Sequence, residues 1–164
     1  MKRHICLLLL FTIIFSLFAC DSGEQNSVSF YYCRDAAQYQ YFEDNAVVCA
    51  EQRDLQGHRD DLRYMVGLYL AGPMTEGLIT PFSKSTKLLS VQKEEDQILI
   101  ELSDHSKILT DSEFTLACAA LTMTCMDFTE CRKVSISSGG RSVTMNADSI
   151  ILSDILPQQE ITGG

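Results

Sequence analysis

Seven cysteines and three histidines are the side chains in this sequence best suited to nucleophilic, redox or metal-binding chemistry. Cys6 and Cys20 fall in an apolar N-terminal segment, which leaves Cys33, Cys49, Cys118, Cys125 and Cys131 in the body of the chain. An odd set of thiols cannot all pair within one molecule. Cys118 and Cys125 are separated by about 10 Å of helical rise, too far for a mutual bridge, and these two and Cys131 are expected to be buried as small hydrophobes. Cys33 and Cys49 fall on two predicted strands and could face each other across a hairpin, a candidate disulfide in an oxidising compartment. No CxxC pair occurs, and only His58 and His105 lie beyond the N-terminal segment, so neither a metal site nor a cofactor is expected. Asp104-His105-Ser106 has the residue types of a hydrolytic triad, but consecutive side chains diverge, and a loop at a strand end accounts for them. Glu94-Glu95-Asp96 with Glu101 could attract calcium, yet the run lacks the regular oxygen spacing of a calcium loop and reads as a solvated hairpin tip. Neither a GxSxG nor a phosphate loop is present, and no catalytic residue is expected.

The elements that position these residues sit in one domain of ordinary composition. The chain has 164 residues, 46% hydrophobic and 21% charged, which suits a single packed core and excludes a disordered or collagen-like chain. With 22 acidic against 13 basic residues it has no cationic surplus to displace counterions, so nucleic acid is not an expected partner.

Lys2, Arg3 and His4 precede an apolar run over residues 5–19, interrupted only by Thr12 and Ser16. That run would rise about 22 Å as a helix, short of the roughly 30 Å hydrocarbon slab, and fits a signal-peptide core better than a span. It ends at Leu17-Phe18-Ala19-Cys20 and gives way to a polar segment over residues 21–27. This ending resembles the lipobox of bacterial lipoproteins. The resemblance implies removal of residues 1–19, a diacylglyceryl group on the Cys20 sulfur and a tether over residues 20–27, leaving the protein on the extracytoplasmic face of the membrane. Two acyl chains hold a protein stably where one lets it exchange. Loss of Lys2 and Arg3 would take the formal charge from −9 to −11, so lipid rather than surface charge would keep it at an anionic bilayer. The alternatives are an ordinary secretory signal in which Cys20 is incidental, or an uncleaved anchor.

Residues 28–33 and 46–50 read as strands, joined through Glu43-Asp44-Asn45. From about Gly57, Leu62, Met65, Val66, Tyr69 and Leu70 form an apolar stripe at helical spacing, stopped by Gly72-Pro73. Residues 87–92 and 97–102 form a hairpin, and Thr110 with Glu113 has capping-box spacing for a second helix running to about Phe128. Its expected buried stripe is Phe114, Ala117, Cys118, Leu121, Cys125 and Phe128. Residues 133–137 and 142–145 read as strands around Gly139-Gly140, with a loose tail over residues 156–164. The expectation is an α+β domain over residues 28–155, with two helices packed on one face of a small mixed sheet. Tyr31, Tyr32, Tyr39, Tyr41 and Phe42 crowd the N-terminal part more than one strand face needs. Aromatics anchor interfaces, so Tyr31, Tyr39 and Tyr41 are the candidate partner surface.

The segment Leu62-Arg63-Tyr64-Met65-Val66-Gly67-Leu68-Tyr69-Leu70-Ala71-Gly72-Pro73 resembles the first helix and Gly-Pro stop of the GerMN domain, named for a sporulation and germination lipoprotein. Thr80-Pro81, Ser85 to Val91, Ile98 to Ser103, Thr124 to Phe128, Val134 and Gly140 follow in that family's order. The chain departs from it at Thr129-Glu130-Cys131, where a Pro-Gly turn and an aliphatic residue are usual. The resemblance implies a non-enzymatic, extracytoplasmic module similar to ring-building motifs, without cofactor, that meets envelope or spore-assembly proteins and in some relatives homo-oligomerises. The alternative is a ligand-binding or hydrolytic envelope protein with a pocket between helix and sheet, which would need convergent polar groups.

Overall fold

The computed structural model describes residues 27–35, 47–104 and 109–149; Cys20, Tyr39, Tyr41 and His105, with the expected signal peptide over residues 1–19 and the expected tail over residues 156–164, lie outside the described residues. The elements in order are β1 (Ser27–Arg34), β2 (Val48–Asp54), α1 (Leu62–Leu70), β3 (Leu78–Ile79), β4 (Leu88–Glu94), β5 (Gln97–Leu102), α2 (Asp111–Phe128), β6 (Lys133–Ser138) and β7 (Arg141–Asn146), closed by a 3-10 turn at Ala147–Ser149. The class is α+β, with strands divided between two sheets rather than gathered in one. The first has the order β2-β1-β3 and the second β4-β5-β6-β7. All pairs are antiparallel except β5 with β6, where α2 supplies the crossover that a parallel pair requires.

The helix boundaries follow from local chemistry. α1 begins only at Leu62, because Gln56 and Gly57 hold positive φ (51° and 84°) in a turn and Asp61 then caps the helix, its side chain accepting from the Tyr64 amide at 2.9 Å. Met65, Val66 and Tyr69 are buried, as the stripe requires. α2 opens with the expected capping box: the Glu113 amide donates to Thr110 Oγ1 at 3.3 Å and the Thr110 amide to Glu113 Oε2 at 2.7 Å. Between β6 and β7, Gly139 and Gly140 hold φ of 56° and 83°, the mirror-image turn that suits a two-residue hairpin. A side chain on Gly139 would also collide with Asp104.

α2 is the centre of the molecule. Phe114, Ala117, Cys118, Leu121 and Cys125 join Ile98, Ile100, Leu102, Val134 and Ile136 in the main core, while Ala120 and Met123 pack with Cys33 and Val48 in a second cluster. Thr122 and Thr124 are buried as well. The side chains of α2 also finish the edge of β1: Ser29 N–H donates to Asp127 Oδ2 at 2.7 Å and Tyr31 N–H to Thr124 Oγ1 at 2.9 Å. One turn of helix thus stands where a further strand would pair, until β3 takes over at Cys33 and Arg34. That substitution separates the two sheets and leaves this stretch of edge closed to aggregation. Thr124→Val keeps the shape and removes the acceptor, so it is expected to cost about 1–3 kcal/mol. Hydrogen exchange checks it: the Tyr31 amide should speed up more than the Tyr32 amide, which points to β2.

Candidate functional site

The described cysteines are free thiols. Cys33 stands opposite Val48, and Cys49 opposite Tyr32. Side chains alternate along a strand, so this offset of one residue puts Cys33 and Cys49 on opposite faces of the sheet, and the disulfide expected between them is not formed in this structure. Cys118, Cys125 and Cys131 are buried, as expected of small hydrophobes. Burial pushes the Cys33 thiol up to about 11, with Cys49 adding to it, and Cys118 up to about 12 against the pull of Arg141. Cys125 is raised too, by burial first and Cys131 second. None of these three can serve as a thiolate nucleophile near neutral pH. Cys49 is half-buried rather than buried, and its Sγ accepts from Arg34 Nε at 2.9 Å. A maleimide added to the native protein should therefore label Cys49 well before Cys33, Cys118, Cys125 or Cys131, as mass spectrometry of the peptides will tell.

The other candidate groups do not converge. Among the described residues no group of three or more His, Cys, Asp or Glu side chains is placed to hold a metal ion. Glu95 turns the β4–β5 hairpin at φ 46°, and Asp96 accepts from the Arg132 amide at its carboxylate (3.2 Å) and from the Lys133 amide at its carbonyl (3.3 Å). Its oxygens are occupied in tying the hairpin to β6. Tyr31 is half-buried and leans on the second core cluster, which makes it a wall of the interior as much as a surface.

A buried ion pair that sequence reasoning missed organises the opposite face of β2. Glu51 and Arg53 share that face opposite Phe30 and Val28, with side chains only 7% and 5% exposed. The Arg53 guanidinium lies 5.1 Å from the Phe30 ring centroid and 5.5 Å from that of Tyr32. It donates to Glu51, to Gly72 O at 2.6 Å and to Leu68 O at 3.4 Å. The last turn of α1 has no basic residue of its own, so Arg53 brings the positive charge that its terminal carbonyls favour. Glu51 accepts from the Met74 amide at 3.0 Å and the Thr75 amide at 2.6 Å. Burial raises its carboxyl, but hydrogen bonds from Thr75, Arg53 and the Met74 amide outweigh that and hold it below its ordinary value. The pair staples the loop after α1 to the sheet. Its sequence trace is slight, two opposite charges at strand spacing with nothing to announce burial.

That loop and β3 enclose a groove of about 500 Å³, lined by Leu70, Pro73, Leu78, Phe82 and Lys84, with Thr80 on its wall. The Thr80 hydroxyl is buried there without a hydrogen-bond partner. Two large apolar side chains stand out to solvent in the same region, Met74 at 84% and Ile79 at 44% exposure. The groove offers hydrocarbon, one cation and a strand edge. Among the described residues that line it there is no acid–base pair, and an apolar pocket beside a strand edge is a surface on which an extended peptide can lie.

Residues 29–144 match the family model described as Germane: sporulation and spore germination. The chain belongs to the Germane family. This is the GerMN-like family that the segment from Leu62 to Pro73 resembles. Two solved structures are similar to it. The tandem GerMN domains of the sporulation protein GerM from Bacillus subtilis are 17% identical, with TM-score 0.47, over 70% of this chain and 39% of that one. A Clostridium perfringens chain named as a lipoprotein is 20% identical, with TM-score 0.37, over 70% of this chain and 75% of that one. The Germane chain thus spans 39% of the length of the tandem protein. No curated protein matches its sequence.

Proposed function

We propose that this Germane domain is a non-enzymatic contact module, tied by lipid at Cys20 to the outer face of the cytoplasmic membrane and serving envelope or spore-associated assembly. The observation that carries the reading is the placement of the groove. It adjoins β3, which pairs with Cys33 and Arg34, whereas the chain enters β1 at Ser27. Eight residues of strand separate the two ends, about 23 Å. A tether from Cys20 therefore leads into one end of the domain, and the apolar groove with Met74 and Ile79 is carried at the other, turned toward partners rather than lipid. Among the described residues no helix is long and apolar enough to cross a membrane.

Cross-linked pull-down of the lipidated protein from native membranes tests this. Specific envelope proteins should be recovered, and the Ile79→Asp variant should lose them. A detached soluble pool that recovers none would contradict the reading.

A further inference from the structure

We propose that the outer side of α1 is a docking face for an acidic segment of another envelope protein, packed lengthwise against the helix. The inference rests on the contact-module reading above and names the partner's chemistry. It starts from Gly67. A glycine inside a helix costs more than an alanine, because its backbone gives up more freedom on folding. Nothing among the described residues asks for it: Gly67 is exposed, and a Cβ added to it meets no atom within 4 Å. The fold alone would be better served by alanine. A bare backbone on an exposed helix has a use toward a neighbour, since it lets another main chain approach more closely than a side chain allows. A lipid surface gains nothing from a missing Cβ, so the neighbour is a polypeptide.

Charge describes that neighbour. Arg63, Gly67 and Ala71 follow at i, i+4 and i+8, so they share the exposed side of α1 and its cap over about 12 Å. At one end Arg63 Nη2 lies 3.5 Å from the carbonyl of Leu89, a leucine whose side chain stands half exposed. At the other, Ala71 lines the same groove as Ile79 and Lys84. A cation and an apolar side chain therefore stand at each end of the bare stretch. These groups come from residues 62–93, which hold Arg63, Lys84, Lys87 and Lys93 but only Glu76 of the chain's 22 acidic residues. Such a face selects a segment with aliphatic side chains toward α1 and a carboxylate toward either end. Two copies of a chain at −9 repel each other overall, which favours another protein as its source.

A photo-cross-linking residue, benzoylphenylalanine, placed at Ala71 of the full chain in its native host tests this, with the linked peptides identified by mass spectrometry. The product should join the chain to another envelope protein through a segment that has aliphatic residues and Asp or Glu. Arg63→Glu together with Lys84→Glu should lower its yield about tenfold. Gly67→Ala gives a second reading: it should raise the thermal midpoint of the purified chain by about 3 °C and still lower the yield, a combination that a purely structural glycine does not produce. No product, a product within one chain or between two copies, a product with lipid alone, or a linked segment without carboxylates overturns the proposal. So does a yield that the charge reversals or Gly67→Ala leave unchanged, or a Gly67→Ala chain that melts lower. In each of these cases envelope proteins recovered in the pull-down above, and lost with Ile79→Asp, would keep the contact-module reading, so the two fail separately.

Discussion

Arg53→Ala is expected to destabilise the fold by about 3–5 kcal/mol, a large share of the roughly 5–15 kcal/mol that holds a domain together. The loss has three parts. The Glu51 carboxylate stays buried with its bonds from Met74 and Thr75 but without a cation, the Gly72 and Leu68 carbonyls lose their donor, and the rings of Phe30 and Tyr32 lose the cation packed on them. Replacing both partners at once, Glu51→Leu with Arg53→Met, should recover part of the loss, because removing a buried pair costs less than orphaning one member. Urea denaturation of the three variants measures both effects. The same site gives a pH dependence of definite sign. The Glu51 carboxyl is held below the ordinary 4.5, so its contribution is complete above that value and is lost as pH falls through the lower folded-state value. Glu51→Gln should be less stable than the parent at neutral pH and should show a shallower decline toward acid. A decline of equal slope in both would show that the pair is not the titrating element.

The second large effect concerns α2. Ala120→Glu should prevent folding, whereas Thr115→Glu on the exposed side of the same helix should be nearly neutral. Ala120 lies outside the apolar stripe that helical spacing alone assigns, yet it is fully buried and packs with Cys33, Val48 and Met123. An unpaired carboxylate there has no solvent and no cation within the cluster. Circular dichroism of the two variants distinguishes a central helix from one lying on a single sheet face.

Those two sites also mark where sequence reasoning reached its end. The element order, the capping box at Thr110 and Glu113, the stripe of α1 and the paired glycines of the last hairpin were all legible, because each depends on local spacing or on a backbone angle that few residues allow. The centrality of α2 left one trace, twelve residues from Thr115 to Met126 without a charge, which fits a helix buried all round better than a stripe. The division into two sheets left none, since it depends on Thr124 and Asp127 meeting the edge of β1 nearly a hundred residues away. β2 runs on to Asp54 rather than ending at Ala50 because Glu51 and Arg53 neutralise each other under α1, which strand propensity penalises. A one-residue register offset decided the fate of Cys33 and Cys49, and composition contains no information about register. The groove depends on β3, a strand of two residues that no periodicity can announce.

The proposed function requires that Cys20 hold this domain at a membrane. Metabolic labelling with a clickable fatty acid, followed by fractionation, asks that directly. The parent chain should take up label and sediment with membranes, and Cys20→Ser should do neither. A parent chain that remains unlabelled inside the cell would contradict it.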